Sequence, residues 1–552
     1  MAKQSVKPTA PDHLTMRLFA PGMSALHRAG LGGLACTLKA MERQYEEGRL
    51  AKSKLPAPFV DGTPPWDIDE QSITLRFGKP EKASAYLQHL FEFAFAIRKD
   101  GLIELPGQHL SEPITPVLAD LQRGLTLTIL QFGRSRMLAK EASTVTYDPE
   151  GAGIPGVIVE YRKCSSFKHQ KGWREFADGN GSLATQSLTI DGIISPGSMV
   201  RHVAFTSSTT AADQPERMLS LYFALVGCLA LPVNRGVAVL LVPEVDDLLG
   251  FACDRPWMTP VTARQAQVTN AADAALQAQV RTRAKKQMRG TAIPGCYAMT
   301  FAPTPWASQQ KSRVATVHIP AGDDKRLDRF ERALALLPLR IVTRLVKETK
   351  GRGKQKAVVE RPESFRAESV IRPLIAENLA LDRPWYAEFT RLMTKTNPAT
   401  NKPYRNQLSF ERKGLHDMIS DSTMWDQEGE SLVVQAVHEA MRQSLGRIRQ
   451  DTDGQNAKRL SQATKNRWDR FREKLRLDLA GAKTPSQLRF VLSDLFSRGG
   501  SNSVLRKAWD KVLPVIRSDW QLARDLGLLA LASYAGRGEN DPDSDDNPKT
   551  NS

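Results

Sequence analysis

Cysteine is scarce in this chain: five residues in 552, at Cys36, Cys164, Cys228, Cys253 and Cys296, with no close pair among them. That spacing excludes both a disulfide framework and a CxxC zinc site. Long apolar runs are missing too. The longest, Met218 to Val233, is broken by Ser220 and Pro232, whereas a bilayer-crossing helix needs about 20 predominantly apolar residues. The stretch therefore reads as a buried core helix. The opening MAKQSVKPTAPDHL lacks the apolar run of a secretory signal. A soluble, intracellular protein is expected.

Acidic groups are also in short supply: 60 Asp and Glu face 77 Lys and Arg, a formal charge of +17. The apolar share of 41% and the charged share of 25% are those of a globular chain, which excludes collagen-like, mucin-like and disordered readings. At about 150 residues per domain, the length predicts roughly three or four domains. The charge is unevenly placed. Between Arg442 and Asp525 there are 19 Lys and Arg against 9 Asp and Glu, a surplus of ten. From Arg537 to Ser552 the sign reverses, with five acids and two bases. Concentrated basic charge favours a polyanionic partner, nucleic acid first, over a merely solubilising surface.

The fold class expected is α+β: a mixed α/β N-terminal region followed by an all-α C-terminal helical bundle. Leu14, Met16 and Leu18 alternate with outward positions, as do Ile73, Leu75 and Phe77, giving the period of two of half-buried strands. The runs Gly156–Tyr161 and Val237–Pro243 read as strands buried on both faces. Ala83, Leu87, Leu90, Phe91 and Ala94 follow a helical period with Gly101 as its stop, and Ala263 to Met288 is helix-prone. Leu339–Val346 and Lys356–Val359 form a hairpin whose tip carries Lys347, Lys350, Arg352, Lys354 and Lys356 around two glycines. Such a tip is either a protected sheet edge or a basic finger for a phosphate backbone. From Arg405 to Tyr534 only helical periodicity remains, broken at Gly454, at Gly481 to Pro485 and at Gly499-Gly500. The domains expected are therefore residues 1–404, mixed α/β and open to division into two subdomains, a helical bundle over 405–536, and a disordered acidic tail over 537–552.

No catalytic constellation emerges. Gly30 to Ala35 fits G-x-G-x-x-A, but these glycines lie inside a helical stretch rather than directly after a strand, so close packing of a neighbour is expected instead of a dinucleotide. His416-Asp417 is a lone HD dipeptide; His438 and Asp494 are conceivable co-ligands with no fixed spacing. His438-Glu439 begins like HExxH, yet Arg442 stands where the second histidine belongs. Neither GxxxxGK[ST] nor GxSxG occurs. A non-enzyme without cofactor or metal is expected; a metal-dependent HD-type nuclease using His416 and Asp417 is the alternative.

Three strings change the reading when taken together: MRLFAPGMSALHRAGLGGLACTLKAME at Met16 to Glu42, WMTP at Trp257 to Pro260, and RDLGLLALASYAG at Arg524 to Gly536. As a set they resemble the large subunit of type I CRISPR effector complexes (Cascade), in its MYXAN-subtype family, over nearly the whole chain except the acidic tail. The resemblance implies a non-catalytic cytoplasmic subunit of a prokaryotic complex. Such a subunit sits at the crRNA 5′ end beside the backbone and crRNA-handle-binding subunits. It recognises the protospacer-adjacent motif in duplex DNA and aids R-loop formation. It also recruits an effector, either a helicase-nuclease or transposition machinery. It further implies that the C-terminal bundle is similar to the Cascade small subunit, lining the path of target and displaced strands.

Residue roles follow from type and placement, since no family motif fixes them. Guide pairing supplies sequence specificity, which leaves phosphate contacts and a few groove contacts to the protein. Arg467, Arg470, Arg472, Lys474 and Arg476 are the candidates for tracking a backbone, against the bland reading of an exposed helix with local pairs to Asp469 and Glu473. Lys350, Arg352 and Lys354 join them from the hairpin tip. For the motif, the segment Ser165–Ser182 reads as a protruding loop in which Lys168, Gln170, Lys171 and Asn180 reach base edges or phosphates. Its Gly172, Gly179 and Gly181 would permit close approach; a contact to another subunit explains the same composition. Arg28, in the Gly-rich opening, is a candidate contact to crRNA or a partner subunit.

Overall fold

Leu14 and Met16 do face inward: the strand His13–Arg17 pairs antiparallel with Ser72–Arg76, setting Leu14 opposite Leu75 and Met16 opposite Ile73, all four buried. Trp66–Ile68 completes this three-stranded sheet. The computed structural model describes residues 11–131, 135–147, 156–191, 210–234, 236–289, 294–302, 313–338, 340–350, 357–367, 369–397, 401–454 and 460–535. They divide into two compact units, the first of residues 1–327 and 339–367, the second of 328–338 and 368–552.

The first unit is mixed α/β, as expected. Its helices are α1 (Ala25–Glu46), α2 (Ala83–Ala94), α3 (Thr115–Leu127), α4 (Pro215–Gly227), α5 (Leu248–Met258) and α6 (Ala271–Arg289); α7 (Asp324–Leu336) spans the division between units. An antiparallel sheet runs Leu229–Asn234, Val237–Pro243, Cys296–Ala302, Arg313–Ile319. A second four-stranded sheet holds the long hairpin Arg340–Lys350 and Ala357–Ala367, then Val157–Tyr161 and Ser143–Tyr147. The hairpin matches the sequence reading, and its tip at 351–356 falls outside the described residues.

Three local expectations are corrected. Val157–Tyr161 is half-buried rather than buried on both faces, because Val157 and Val159 point inward while Ile158 is 40% exposed. The apolar run from Met218 is not one helix. It ends α4 at Gly227 and continues as the strand Leu229–Asn234, which takes Pro232 and Val233. Gly101 does not stop α2, which ends at Ala94; with φ of +80° it turns the short hairpin Ala96–Ile97 and Ile103–Glu104.

The glycines of α1 are there for packing. α1 and α4 lie backbone to backbone: a Cβ built on Gly30 would stand 1.9 Å from the Ser220 carbonyl oxygen, on Gly33 2.2 Å from that of Phe223, and on Gly227 1.8 Å from that of Ala29. The neighbour expected to pack closely on these glycines is α4, and the contact is a helix–helix seam. No side-chain rotation relieves a clash with backbone, so Gly33→Ala is expected to cost about 3 kcal/mol, the upper end for overpacking. Urea unfolding of the variant checks this; a loss below about 1 kcal/mol would mean that the helices separate freely.

The WMTP string is also structural in part. Arg255, fully buried, donates from Nε to the Gly227 carbonyl at 2.7 Å, from Nη2 to that of Cys228 at 2.6 Å, and from Nη1 to Thr259 Oγ1 at 2.8 Å. Thr259 Oγ1 donates onward to the Gln108 carbonyl at 2.6 Å. The guanidinium thus satisfies the orphan carbonyls at the C-terminus of α4, where the helix dipole favours a cation. Arg281 does the same for α5, with Nε and Nη2 on the Met258 carbonyl at 3.0 and 2.8 Å.

The second unit is helical: α8 (Arg372–Ala380), α9 (Thr390–Thr394), α10 (Tyr404–Leu408), α11 (Arg412–Ser420), α12 (Glu428–Asp453), α13 (Gln462–Gly481), α14 (Pro485–Gly499), α15 (Ser503–Ser518) and α16 (Trp520–Ser533). Val433, Val434, Val437, Ala440 and Met441 bury the inner stripe of α12, against which α13 to α16 pack. The helices end at the anticipated glycines, Gly454 and Gly500 both having positive φ. The acidic tail lies outside the described residues.

Candidate nucleic-acid interface

The segment Ser165–Ser182 is built into the first unit rather than protruding from it. Cys164–Phe167 is a strand paired with Arg136–Leu138, and Lys168–Glu175 forms a 3₁₀ helix. Side chains three apart eclipse in such a helix. His169 and Gly172 accordingly share the buried side, and Lys168, Lys171 and Arg174 share another. His169 is enclosed by the rings of Phe95, Phe167 and Tyr222 at 5.5 to 6.0 Å. Gly172 is needed by the Tyr222 ring, which a Cβ would meet at 2.2 Å. Gly181, with φ of +84°, sits against the Glu81 carbonyl and accepts from the Ser84 N–H at 2.9 Å. Two of the three glycines therefore admit protein, not a nucleic acid.

The four side chains named in this segment fare differently. Lys171 and Asn180 are exposed. Lys168 is half-buried, with Nζ 4.0 Å from Glu175. Gln170 turns inward locally, its Oε1 accepting from the Phe167 N–H at 3.2 Å. Asn180 occupies a tight turn organised by Asp178, whose carboxylate accepts from the Asn180 and Ser182 N–H groups at 2.9 Å. The exposed Arg174 was missed; its signal was the spacing of three from Lys171. At the start of α1, the Arg28 guanidinium lies 5.7 Å from the ring of Phe19, itself 53% exposed.

On α13 the structure separates the two basic flanks. Arg467, Arg470 and Lys474 are all exposed, at i, i+3 and i+7 along one row. Arg467 also donates to Thr452 Oγ1 at 3.1 Å. Arg472 is half-buried. Arg476 is a correction: it is 8% exposed, its guanidinium held by Glu473 at 2.7 and 2.8 Å and by the Met393 carbonyl at 3.0 Å. A side chain so clamped is not offered to a phosphate. Lys350 closes the strand Arg340–Lys350, and Arg352 and Lys354 lie outside the described residues.

Of the residues considered for metal chemistry, His438, Asp494 and Glu439 have other partners. His416 and Asp417 are exposed on α11. His438 Nε2 lies 2.9 Å from the Ala530 carbonyl and 3.2 Å from Ser533 Oγ. Asp494 pairs with Arg498 at 2.9 Å, and Glu439 caps α15 by accepting from the Ser503 and Val504 N–H groups at 3.0 and 3.1 Å. Among the described residues no three His, Cys, Asp or Glu side chains gather as metal ligands.

The enclosed histidines carry a pH prediction. Burial pushes His169 down to about 3, and burial with nearby cations pushes His109 down to about 4. His438 is likewise lowered by burial, to about 4. Unfolded histidine binds its proton near pH 6.5, so below that pH the unfolded chain holds more protons than the native one. Stability is unaffected above about pH 6.5. It is lost as pH falls toward 4, by about 1.4 kcal/mol per pH unit for each enclosed histidine. Urea midpoints at pH 7.5, 6 and 5 read this directly, and His169→Phe should flatten the slope.

Residues 15–222 match the DevT N-terminal domain and residues 421–552 the DevT C-terminal domain. Along its length the chain is 35% identical to the CRISPR-associated protein Cas8a1/Csx13 of Myxococcus xanthus (strain DK1622), covering 96% of this chain and 90% of that protein. The chain belongs to the Cas8a1/Csx13 family. This is a large-subunit family of type I CRISPR effector complexes, so the resemblance read from the three strings holds. On this Cas8a1/Csx13 chain the N-terminal match takes in α1, the first half of α4 and the 3₁₀ segment, and the C-terminal match takes in α12 to α16. Arg255 and the long hairpin fall between the two matches. Among the described residues no helix is long and apolar enough to cross a membrane.

Proposed function

We propose that this Cas8a1/Csx13 chain is the non-catalytic large subunit of a crRNA-guided type I surveillance complex in the prokaryotic cytoplasm. It recognises the protospacer-adjacent motif in duplex DNA, aids R-loop formation and recruits the downstream effector, a helicase-nuclease or transposition machinery. The observation that carries this reading is kinship to Cas8a1/Csx13 over nearly the full length of both chains. The exposed row Arg467, Arg470 and Lys474 supports it, because guide-directed binding leaves the protein to neutralise phosphates. In the same proposal the first unit reads the motif through Lys171 and Arg174, with Lys168 and Asn180 beside them. Arg28 contacts crRNA or a neighbouring subunit, and the bundle over 405–536 acts as the small subunit does, with Lys350, Arg352 and Lys354 of the long hairpin reinforcing the backbone track.

Co-expression with the neighbouring CRISPR subunits and a crRNA tests membership: the chain should co-purify with the RNA-bound complex. The nuclease alternative is tested on the purified chain. EDTA-sensitive cleavage of DNA that is abolished by His416→Ala would contradict the non-catalytic reading; no cleavage with Mg²⁺, Mn²⁺ or Zn²⁺ is expected.

A further inference from the structure

Helix α5 has an unusual outer face. Of its residues Leu248 to Met258, only Leu249, Cys253 and Trp257 are exposed, apart from the half-exposed Gly250. They stand at i, i+4 and i+8, so they form one stripe, about 12 Å long at 1.5 Å per residue. No member of it is charged. A helix at the surface of a lone protein normally turns polar residues outward. Here Leu249 is 36% exposed and Trp257 40%, and the row continues into Val261 at 45%.

The antiparallel helix α6 widens this strip. Its Arg289 reaches the Gly250 carbonyl at 3.4 Å, its Lys286 the buried Asp254 at 2.7 Å, and its Arg281 the Met258 carbonyl. Lys285 Nζ stands 4.6 Å from the centre of the Trp257 ring, and Met288, one turn along, is 80% exposed. The last three turns of α6 carry Arg281, Arg283, Lys285, Lys286 and Arg289 and no acid. At the opposite end Asp247 is occupied in capping α5, accepting from the Leu249 and Gly250 N–H groups at 3.0 Å. The strip is therefore apolar along its length; on its α6 side Lys286 and Arg289 share the buried Asp254, which leaves one net positive charge there beside that of Lys285.

We infer that this α5–α6 strip is a protein-docking surface, whose occupant is an amphipathic segment of another subunit, apolar toward Leu249, Cys253, Trp257 and Met288 and carrying a carboxylate opposite Lys285. The charge of the rim selects that occupant. A rigid, half-exposed tryptophan in an apolar row is the composition of an interface hot spot. A nucleic-acid strand would lay successive phosphates along Leu249, Cys253 and Trp257, a row that carries no cation. The choice of probe rests on the complex-subunit reading above.

Cys253 makes the proposal measurable, since the other four cysteines are buried. Full-length chain is treated with a fluorescent maleimide alone and within the complex co-expressed with crRNA, with Cys253→Ser as the labelling control. At least tenfold slower labelling in the complex is expected. Trp257→Glu should lose co-purification of the other subunits while keeping its circular dichroism and melting temperature, and Trp257→Phe should retain it. If the complex forms and Cys253 labels at the rate of the free chain, docking at this strip is overturned and the complex reading stands. If no complex forms, both fall. Protection of the free chain by duplex DNA, by RNA or by anionic vesicles overturns the assignment to a protein. Protection that grows with the concentration of the chain alone assigns the strip to a second copy instead.

Discussion

Arg255→Ala should destabilise the first unit by about 4 kcal/mol, the largest single-residue loss expected in the molecule. The native guanidinium is fully buried and serves three acceptors: the Gly227 and Cys228 carbonyls and Thr259 Oγ1. Alanine removes all three bonds and leaves a cavity. Cys228 retains a donor in Gln108 Nε2 at 3.2 Å, but the Gly227 carbonyl loses the bond that Arg255 supplied. An unsatisfied buried acceptor costs about 1–3 kcal/mol, and the cavity adds to it. Arg255→Lys separates charge from geometry. The ammonium keeps the favourable interaction with the end of α4, but a single nitrogen cannot span three acceptors, so roughly half of the loss should remain. Urea denaturation followed by tryptophan fluorescence gives both values. An alanine variant within about 1 kcal/mol of the parent would show that the guanidinium is not what closes α4.

Charge removal on α13 is the largest expected effect on binding. Changing Arg467, Arg470 and Lys474 to glutamine removes three exposed cations from one row without touching buried groups. Each phosphate contact contributes about 0.7 to the slope of log K against log salt for a single strand and about 0.9 for a duplex. The slope of the assembled complex should therefore fall by about 2 on single-stranded DNA. Extrapolated from equal affinity at 1 M salt, that is a loss of about 100-fold at 0.1 M. Arg476→Gln is the informative contrast. Its guanidinium is committed to Glu473 and the Met393 carbonyl, so its replacement should lower the melting temperature and leave the slope unchanged. An unaltered slope in the triple variant would remove the α13 row from the binding footprint.

Much of the architecture was legible because it depends on local chemistry. The α1 glycines lay within a helical period and away from a strand end, which left close packing as their use, and α4 supplies the partner. Period-two alternation found the first strands, and the glycine breaks found the ends of α12 and α14. The loop reading of Ser165–Ser182 failed for a non-local reason. Its composition of Gly, Asn and Lys describes a loop, but Phe95 and Tyr222, far away in sequence, provide the cage that turns it into a 3₁₀ helix. Arg476 looked like its neighbours on the helix, and the carbonyl of Met393, far away in sequence, joins Glu473 in clamping it. The α5 strip is not legible in the sequence, because Leu249, Cys253 and Trp257 are residue types found mostly in protein interiors. Exposure, not identity, sets them apart.

The central claim is that this Cas8a1/Csx13 chain gives the complex its preference for a short motif beside the target. Its most direct test is equilibrium binding of the crRNA complex, purified with and without this chain, to duplexes that share one target and differ only in a randomised flanking sequence. The account predicts a narrow set of preferred flanks when the chain is present, and weak binding without flank preference when it is absent. Undiminished flank preference in the complex lacking the chain would contradict it.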